Sequence, residues 1–333
     1  MEGIEEIRIG GRKSHLAIVQ SEIVKDLIEK NYSQYKCSIT ALNTLADDNL
    51  DKALYTFGGK PVWTQELENL LTKDVGDFKQ IDLIVHSLKD LPTNLPEDFE
   101  LGAITKREDP RDAIIMKAGS TYKSLKDLPD GSVVGTSSIR RSAQLLEKYP
   151  NLKFESVRGN LETRLRKLDN DNKYECIILA AAGLIRIGAD HRITKCLDSD
   201  EMFYSVGQGA LGIEIRKNDH KIKEILSKVN HLSTSYRCLS ERSLMRFLEG
   251  GCSVPLGVIS EFNESTNDLK LKAKVVSVDG QQCVECELNK TITNNQDCED
   301  LGVELGKKMI ENGVKKILDE IDYENINQNP NRS

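Results

Sequence analysis

From Ile4 to Ile9 apolar and polar residues alternate, the period of a half-buried strand. After Gly10-Gly11-Arg12-Lys13-Ser14 the apolar residues Leu16, Val19, Ile23 and Leu27 recur at helical spacing. The pattern predicts a strand, a glycine turn and a helix. It then recurs: 36–45 reads as a strand, 64–72 as a helix and Ile81-Asp82-Leu83-Ile84-Val85-His86 as a buried strand. A second series predicts strands at 113–116, 133–136, 154–157 and 176–180, with helices near 141–148 and 161–168. Alternation of this kind predicts α/β units with mainly parallel sheets. From about His231 the order changes to a helix over 234–249, strands over 254–261, 269–278 and 282–288, and a long helix over 298–321. Strands that follow one another directly, flanked by two helices, describe an α+β domain.

Length and composition narrow the class. At 333 residues, with 38% hydrophobic and 30% charged residues, the chain is an ordinary folded protein too long for one hydrophobic core, so two or three domains are expected. No apolar run approaches the roughly 20 residues of a membrane helix, and the start is acidic where a targeting peptide would be basic. A cytosolic protein with no membrane partner is expected. The net charge of −7 argues against a nucleic-acid partner bound through a basic surface. Locally the balance reverses: between Gly131 and Arg192 stand 11 Lys and Arg against 7 Asp and Glu, including 7 of the 16 arginines. Arginine suits bidentate recognition of carboxylate or phosphate, although a solvated face with ordinary ion pairs has the same composition.

The eight cysteines are scattered, so a disulfide framework is not expected and most should be reduced and buried. Cys283-Val-Glu-Cys286 has the spacing of half a zinc site, but no second pair or histidine cluster follows, so no metal is expected.

Ligands of open α/β sheets sit beyond the carboxyl ends of strands. Five such ends stand out: Gly10-Gly11-Arg12, His86-Ser87-Leu88-Lys89-Asp90-Leu91-Pro92, Gly135-Thr136-Ser137-Ser138-Ile139-Arg140-Arg141, Val157-Arg158-Gly159-Asn160 ahead of Arg164, and Ala180-Ala181-Ala182-Gly183-Leu184-Ile185-Arg186. Singly each has a plain reading: Ser138 as a helix N-cap, Arg158 as a surface charge, Asp90 as a turn residue before Pro92. Together, arginine-bearing strand ends facing one crevice would make a polyanion site. Nucleotide phosphate chemistry is disfavoured, because neither G-x-x-x-x-G-K-[ST] nor G-x-G-x-x-G occurs at a strand end. In Leu248-Glu249-Gly250-Gly251-Cys252-Ser253-Val254-Pro255 a helix stops at two glycines before a cysteine, which is either an accessible thiol or a small residue in a tight turn.

These segments, with Arg107-Glu108-Asp109-Pro110-Arg111-Asp112 and Val206-Gly207-Gln208-Gly209-Ala210-Leu211-Gly212, closely resemble the porphobilinogen deaminase (hydroxymethylbilane synthase) family over nearly the whole chain. Ala46 stands where that family commonly has glycine, and Gln65 where it commonly has lysine. The resemblance implies a transferase that condenses porphobilinogen, a pyrrole bearing acetate and propionate, into a linear tetrapyrrole with loss of ammonia. Growth would proceed on a dipyrromethane cofactor held by a thioether to Cys252. Asp90 matches the catalytic aspartate, whose charge would stabilise the cationic azafulvene formed as ammonia leaves. Cofactor contacts fall to Lys89, Asp90, Ser137, Ser138, Arg140, Arg141, Arg158 and Gly159, and substrate contacts to Arg12, Ser87, Arg164, Arg186 and Gln208.

The implied fold has three domains, two α/β domains resembling periplasmic binding proteins and a C-terminal α+β domain carrying the cysteine. Domain 1 spans 1–107 and 207–230, domain 2 108–206 and domain 3 231–333, working as a monomer. A non-enzymatic carboxylate-binding protein of the same fold would use the same arginines but gives no reason for an exposed Cys252. A transcriptional effector domain is the other rival, and no helix-turn-helix segment precedes the α/β part.

Overall fold

The fold is that of a computed structural model, which describes residues 5–42, 62–248 and 254–321. In chain order, β1 (Glu5–Arg12), α1 (His15–Asn31), β2 (Tyr35–Leu42), α2 (Val62–Thr72), β3 (Leu83–Ser87) and β4 (Phe99–Ile104) come first. There follow β5 (Asp112–Met116), β6 (Val133–Gly135), α3 (Ile139–Lys148), β7 (Lys153–Glu155), α4 (Leu161–Asn170), β8 (Cys176–Ala180), α5 (Ala181–Arg186) and β9 (Lys195–Cys196). The last elements are β10 (Leu211–Arg216), α6 (His220–Ser227), α7 (Leu232–Phe247), β11 (Leu256–Asn263), β12 (Asp268–Val276), β13 (Cys283–Thr291), α8 (Asn295–Glu311) and α9 (Val314–Asp319). The chain divides into two compact units, residues 1–108 with 209–235 and residues 109–208 with 236–333.

Unit 1 is built on a five-stranded sheet in the order β2-β1-β3-β10-β4. β1 runs parallel to β2 and β3, whereas β10 is antiparallel to both of its neighbours. The sheet is therefore mixed rather than mainly parallel, because β10 arrives when the chain returns to the unit at Gly209 and inserts between β3 and β4. Ile7, Ile9, Leu83, Ile213 and Ile215 pack from the strands against Val24 and Ile28 of α1.

The glycine turn expected at Gly10-Gly11-Arg12 is not a turn. These residues continue β1, opposite Thr40, Ala41 and Leu42. A Cβ on Gly10 would stand 2.2 Å from Ile81 Cδ1, and one on Gly11 2.6 Å from Ser21 Oγ, so the glycines admit close packing on both faces of a straight strand. The turn comes two residues later, where Ser14 caps α1 by accepting from the Ala17 N–H at 3.4 Å.

In unit 2 a second five-stranded sheet has the order β7-β6-β8-β5-β9, with β6 parallel to β7 and β8, and β5 antiparallel to β8 and β9. A three-stranded antiparallel sheet, β11-β12-β13, carries α8 on one face. From Tyr236 on the chain lies in unit 2, where Phe203, Tyr204 and Val206 belong to the same core as Leu269, Leu271, Leu301 and Leu305. The long helix expected over 298–321 is two helices, broken where Gly313 takes a φ of 88°.

α8 crosses α7 closely at Gly302. A Cβ there would meet Leu244 N and Ser240 O of α7, each at 2.6 Å, and these are backbone atoms that cannot swing aside. Helix propensity favours alanine over glycine by about 1 kcal/mol, but overpacking against rigid backbone costs about 1–3 kcal/mol, so the steric effect wins. Gly302→Ala should lower stability by about 1–2 kcal/mol in urea unfolding, and a stabilised variant would show that the two helices separate freely.

Candidate active site

In unit 1, β3 ends at Ser87 and runs into a single 3₁₀ turn, Leu88–Asp90. Leu88 and Leu91, 1% and 2% exposed, anchor the two sides of that turn in the core, so Lys89 and Asp90 project from it and Asp90 is exposed. The Leu88 N–H donates to Ala210 O at 3.0 Å, fixing the turn to the segment before β10. Ser87 Oγ is held by Gln20 Nε2 of α1 at 2.8 Å. Beneath the turn His86 Nε2 lies 2.8 Å from Glu214 Oε2, a buried pair whose second carboxylate oxygen, Oε1, has no hydrogen-bond partner. Burial and the charge of Glu214 raise the carboxyl of neighbouring Glu68. Arg12, the last residue of β1, is partly exposed.

In unit 2 the sequence 135–141 leaves β6 and starts α3, with Ser138 as N-cap accepting from the Arg141 N–H at 3.4 Å. Ser137 is exposed and its hydroxyl bonds Ser156 Oγ and Val157 O, each at 2.8 Å, tying this strand end to the next. There Arg158 Nε donates to Ser156 Oγ at 3.2 Å, and Arg164 Nε donates back to Gly159 O at 2.7 Å. Gly159 must be glycine: its φ is +114° and a Cβ would lie 2.6 Å from Thr163 Cγ2. Arg186, the last residue of α5, is partly exposed.

Arg140 and Arg141 are not surface charges, being 5% and 6% exposed. Both turn inward onto Asp112, the first residue of β5: Arg140 Nη1 reaches Oδ2 at 2.7 Å, and Arg141 Nε and Nη2 reach Oδ1 at 3.0 and 2.7 Å. Each also donates to a backbone carbonyl, Arg140 to Phe203 and Arg141 to Ile178. Gln208, expected to touch substrate, is 1% exposed, and its Nε2 donates to Pro110 O at 2.7 Å and Asp112 Oδ1 at 3.0 Å. Burial alone would raise the Asp112 carboxyl. The charges of Arg140 and Arg141 and the hydrogen bonds outweigh it and hold the group far below the usual carboxylate range. Asp112 was quoted in the sequence only as part of a motif. The signal for it was a carboxylate opening the otherwise apolar strand Ala113-Ile114-Ile115-Met116.

Cys252 lies outside the described residues, as do Ala46 and the segment around it. The seven described cysteines are unbridged thiols. Burial pushes Cys37 and Cys298 up to about 11 and Cys176 up to about 12, and Cys238 is 0% exposed. Cys283 and Cys286 alternate exposed and buried along β13, so they face opposite sides of the sheet and cannot share a metal ion.

Residues 7–224 match the family model described as porphobilinogen deaminase, dipyromethane cofactor binding domain, and residues 235–311 match the model of the porphobilinogen deaminase C-terminal domain. The chain belongs to the porphobilinogen deaminase family. Curated relatives named porphobilinogen deaminase include one from Candida albicans, 62% identical over 97% of this chain and 95% of its own length. Another, from Saccharomyces cerevisiae, is 57% identical over 97% and 99%. The second substrate-binding domain of Lactococcus lactis GlnP aligns at a TM-score of 0.40 and 12% identity, covering 73% of this chain and 90% of that one. A porphobilinogen deaminase must hold a dipyrromethane, an oligopyrrole bearing several carboxylates. The N-terminus of α3, with the exposed Ser137 beside it and the partly exposed Arg158 on the next strand end, is chemistry that fits such an anion, while Arg140 and Arg141 behind it are turned to Asp112.

Asp112→Asn would leave two buried guanidiniums facing a neutral amide. Removing one partner of a buried ion pair costs about 3–5 kcal/mol, so urea unfolding of the variant should shift by that amount. A change under about 1 kcal/mol, the scale of exposed pairs, would mean that the cluster is solvated in solution.

Proposed function

We propose that this chain works as a porphobilinogen deaminase in which Asp90 serves the reacting pyrrole and the arginines of unit 2 hold pyrrole carboxylates. The family reaction condenses porphobilinogen units, with release of ammonia, into the linear tetrapyrrole hydroxymethylbilane. The observation that carries the residue assignment is the turn at Leu88–Asp90, where two buried leucines hold a carboxylate out in solvent. A turn that served only to reverse the chain would not need such anchoring of a charged tip.

The chemistry follows from charge. Loss of ammonia from porphobilinogen leaves positive charge on the pyrrole, and a fixed carboxylate beside the ring N–H lowers the energy of that state without having to reorganise. Asp90 supplies this carboxylate and Lys89, next to it, meets a carboxylate of the dipyrromethane. Arg158 and Arg164 are held with their backbone by the Ser156 and Gly159 contacts and present forks, Arg158 to the dipyrromethane carboxylates and Arg164 to the acetate and propionate of the substrate. Arg12, Ser87 and Arg186 complete the substrate contacts. Arg140, Arg141, Ser137, Ser138 and Gly159 serve the dipyrromethane, which when bound supplies the primer on which the product grows. Cys252 is the proposed attachment point, a reading supported by the burial of Cys37, Cys176, Cys238 and Cys298, which closes those thiols to a ligand.

Among the described residues no helix is long and apolar enough to cross a membrane. The compartment we propose is the cytosol, which suits seven unbridged thiols, and the working unit a single chain with no nucleic-acid partner.

Intact mass tests the cofactor assignment. The purified active protein should exceed its sequence mass by two condensed pyrrole units, with the added mass on the peptide containing Cys252, and Cys252→Ala should yield folded, inactive apoprotein. An active preparation of bare sequence mass, or an adduct on Cys238, would refute the assignment.

Asp90→Asn keeps the shape of the side chain and removes its charge. Turnover should fall by at least about 100-fold, the scale of one preorganised electrostatic group, with a much smaller change in KM. Near-normal turnover would reduce Asp90 to a turn residue.

A further inference from the structure

We infer that Asp112 is a positioning residue for cofactor assembly, a buried carboxylate that sets the pose of Arg140, Arg141 and Gln208 before any pyrrole binds. The inference rests on the assignment of Arg140 and Arg141 to the dipyrromethane. Neighbouring residues on a helix point about 100° apart, so two consecutive arginines in the first turn of α3 would ordinarily diverge. Here they converge on one carboxylate, Arg140 on Oδ2 and Arg141 on Oδ1. Like charges brought together in a buried place repel unless an anion stands between them, and Asp112, with a side chain 0% exposed, is that anion. Gln208 Nε2 donates to the same Oδ1 and to Pro110 O, which adds a third side chain to those that hold the carboxylate.

This geometry goes beyond supporting the fold. The Phe203 and Ile178 carbonyls already give each guanidinium a backbone acceptor, so neither depends on Asp112 for its only hydrogen bond. What Asp112 adds is a common point of reference. Arg141 meets it through Nε and Nη2, both on Oδ1, while Nη1 donates to the Ile178 carbonyl, so the two acceptors together hold the plane of the guanidinium. Preset planes lower the cost of binding, since the forks need not be ordered when a carboxylate arrives.

The test measures assembly rather than turnover. Asp112→Asn removes the charge and is a stability experiment; Asp112→Glu keeps the charge and displaces it by one methylene. Apoprotein of the parent, Asp112→Glu, Arg141→Gln and the double variant is checked for cooperative thermal unfolding. Each is then incubated with porphobilinogen while intact mass follows the gain of two pyrrole units. Folded Asp112→Glu should load at least about tenfold more slowly than the parent, because displacements near 1 Å in a positioned group have effects of that order or more. The double variant should lose less than the product of the two single losses, since Arg141 is one of the groups through which Asp112 acts.

Loading of Asp112→Glu at the parent rate, or fully additive losses in the double variant, would overturn the positioning role. If Arg141→Gln itself loads like the parent, the arginine assignment falls and the inference with it. Slow Arg141→Gln beside normal Asp112→Glu defeats the inference alone. Should Asp112→Glu fail to fold, Gln208→Met decides instead: it leaves the ion pairs intact and removes one donor to Oδ1. Slowed loading by that folded variant supports the role, and the parent rate refutes it.

Discussion

The carboxylate of Asp112 constrains unit 2 more than any other single group. It sits at the start of β5, with no exposed side-chain surface, and receives donors from α3 and from the segment that ends at Gln208. A charge in that position is tolerable only if it is paired and fully hydrogen-bonded, and the two guanidiniums are tolerable only because it is there. The cluster therefore forms as a whole or not at all. Its consequence is directional: α3 is held to the sheet through its first turn, so the helix N-terminus and the Ser137 and Ser138 hydroxyls keep a fixed relation to the strand ends of β6 and β8.

Unit 1 solves the opposite problem. Asp90 is exposed on a turn whose backbone is held by apolar contacts: Leu88 and Leu91 are buried on either side of a one-turn 3₁₀ segment. The Leu88 N–H contact to Ala210 and the buried His86–Glu214 pair then attach that segment to β10. β10 reaches this place only after the chain has left for unit 2 and returned. The return strand thus supports the Leu88–Asp90 turn, and it runs antiparallel between β3 and β4.

Much of this was legible in the sequence wherever hydrophobic period and cap chemistry agree. Ser14, Ser138 and Asn160 stand at helix starts with their side chains on the backbone donors that an N-cap serves. What was not legible turns on contacts between residues far apart in the chain. β10 alternates as a half-exposed strand would, yet Gly212 and Glu214 are buried, because their face is covered by segments more than 100 residues earlier. Gly10 and Gly11 look like a turn because the strand that needs their thinness is defined by Ile81 and Ser21, which no local window relates to them. Arg140 and Arg141 follow a strand end as ligand-binding arginines do, and only the three-dimensional fold brings Asp112 beneath them.

The persistence of charge in such a place needs a cause other than stability. A buried ion pair seldom holds a protein together better than well-packed apolar side chains of the same volume, because desolvation offsets most of the attraction. Unit 2 has abundant apolar packing around this point, including Ile114, Ile178 and Ala143 at 0% exposure, so a leucine or methionine cluster was physically accessible. Lysine would also have carried the charge, but it offers no plane and no fork, and it desolvates at greater cost than the diffuse guanidinium. An Asp–Arg–Arg cluster is the arrangement expected when the orientation of the guanidiniums matters more than the free energy of the fold. The pose of a carboxylated oligopyrrole, which we propose these arginines hold, is a requirement of that kind.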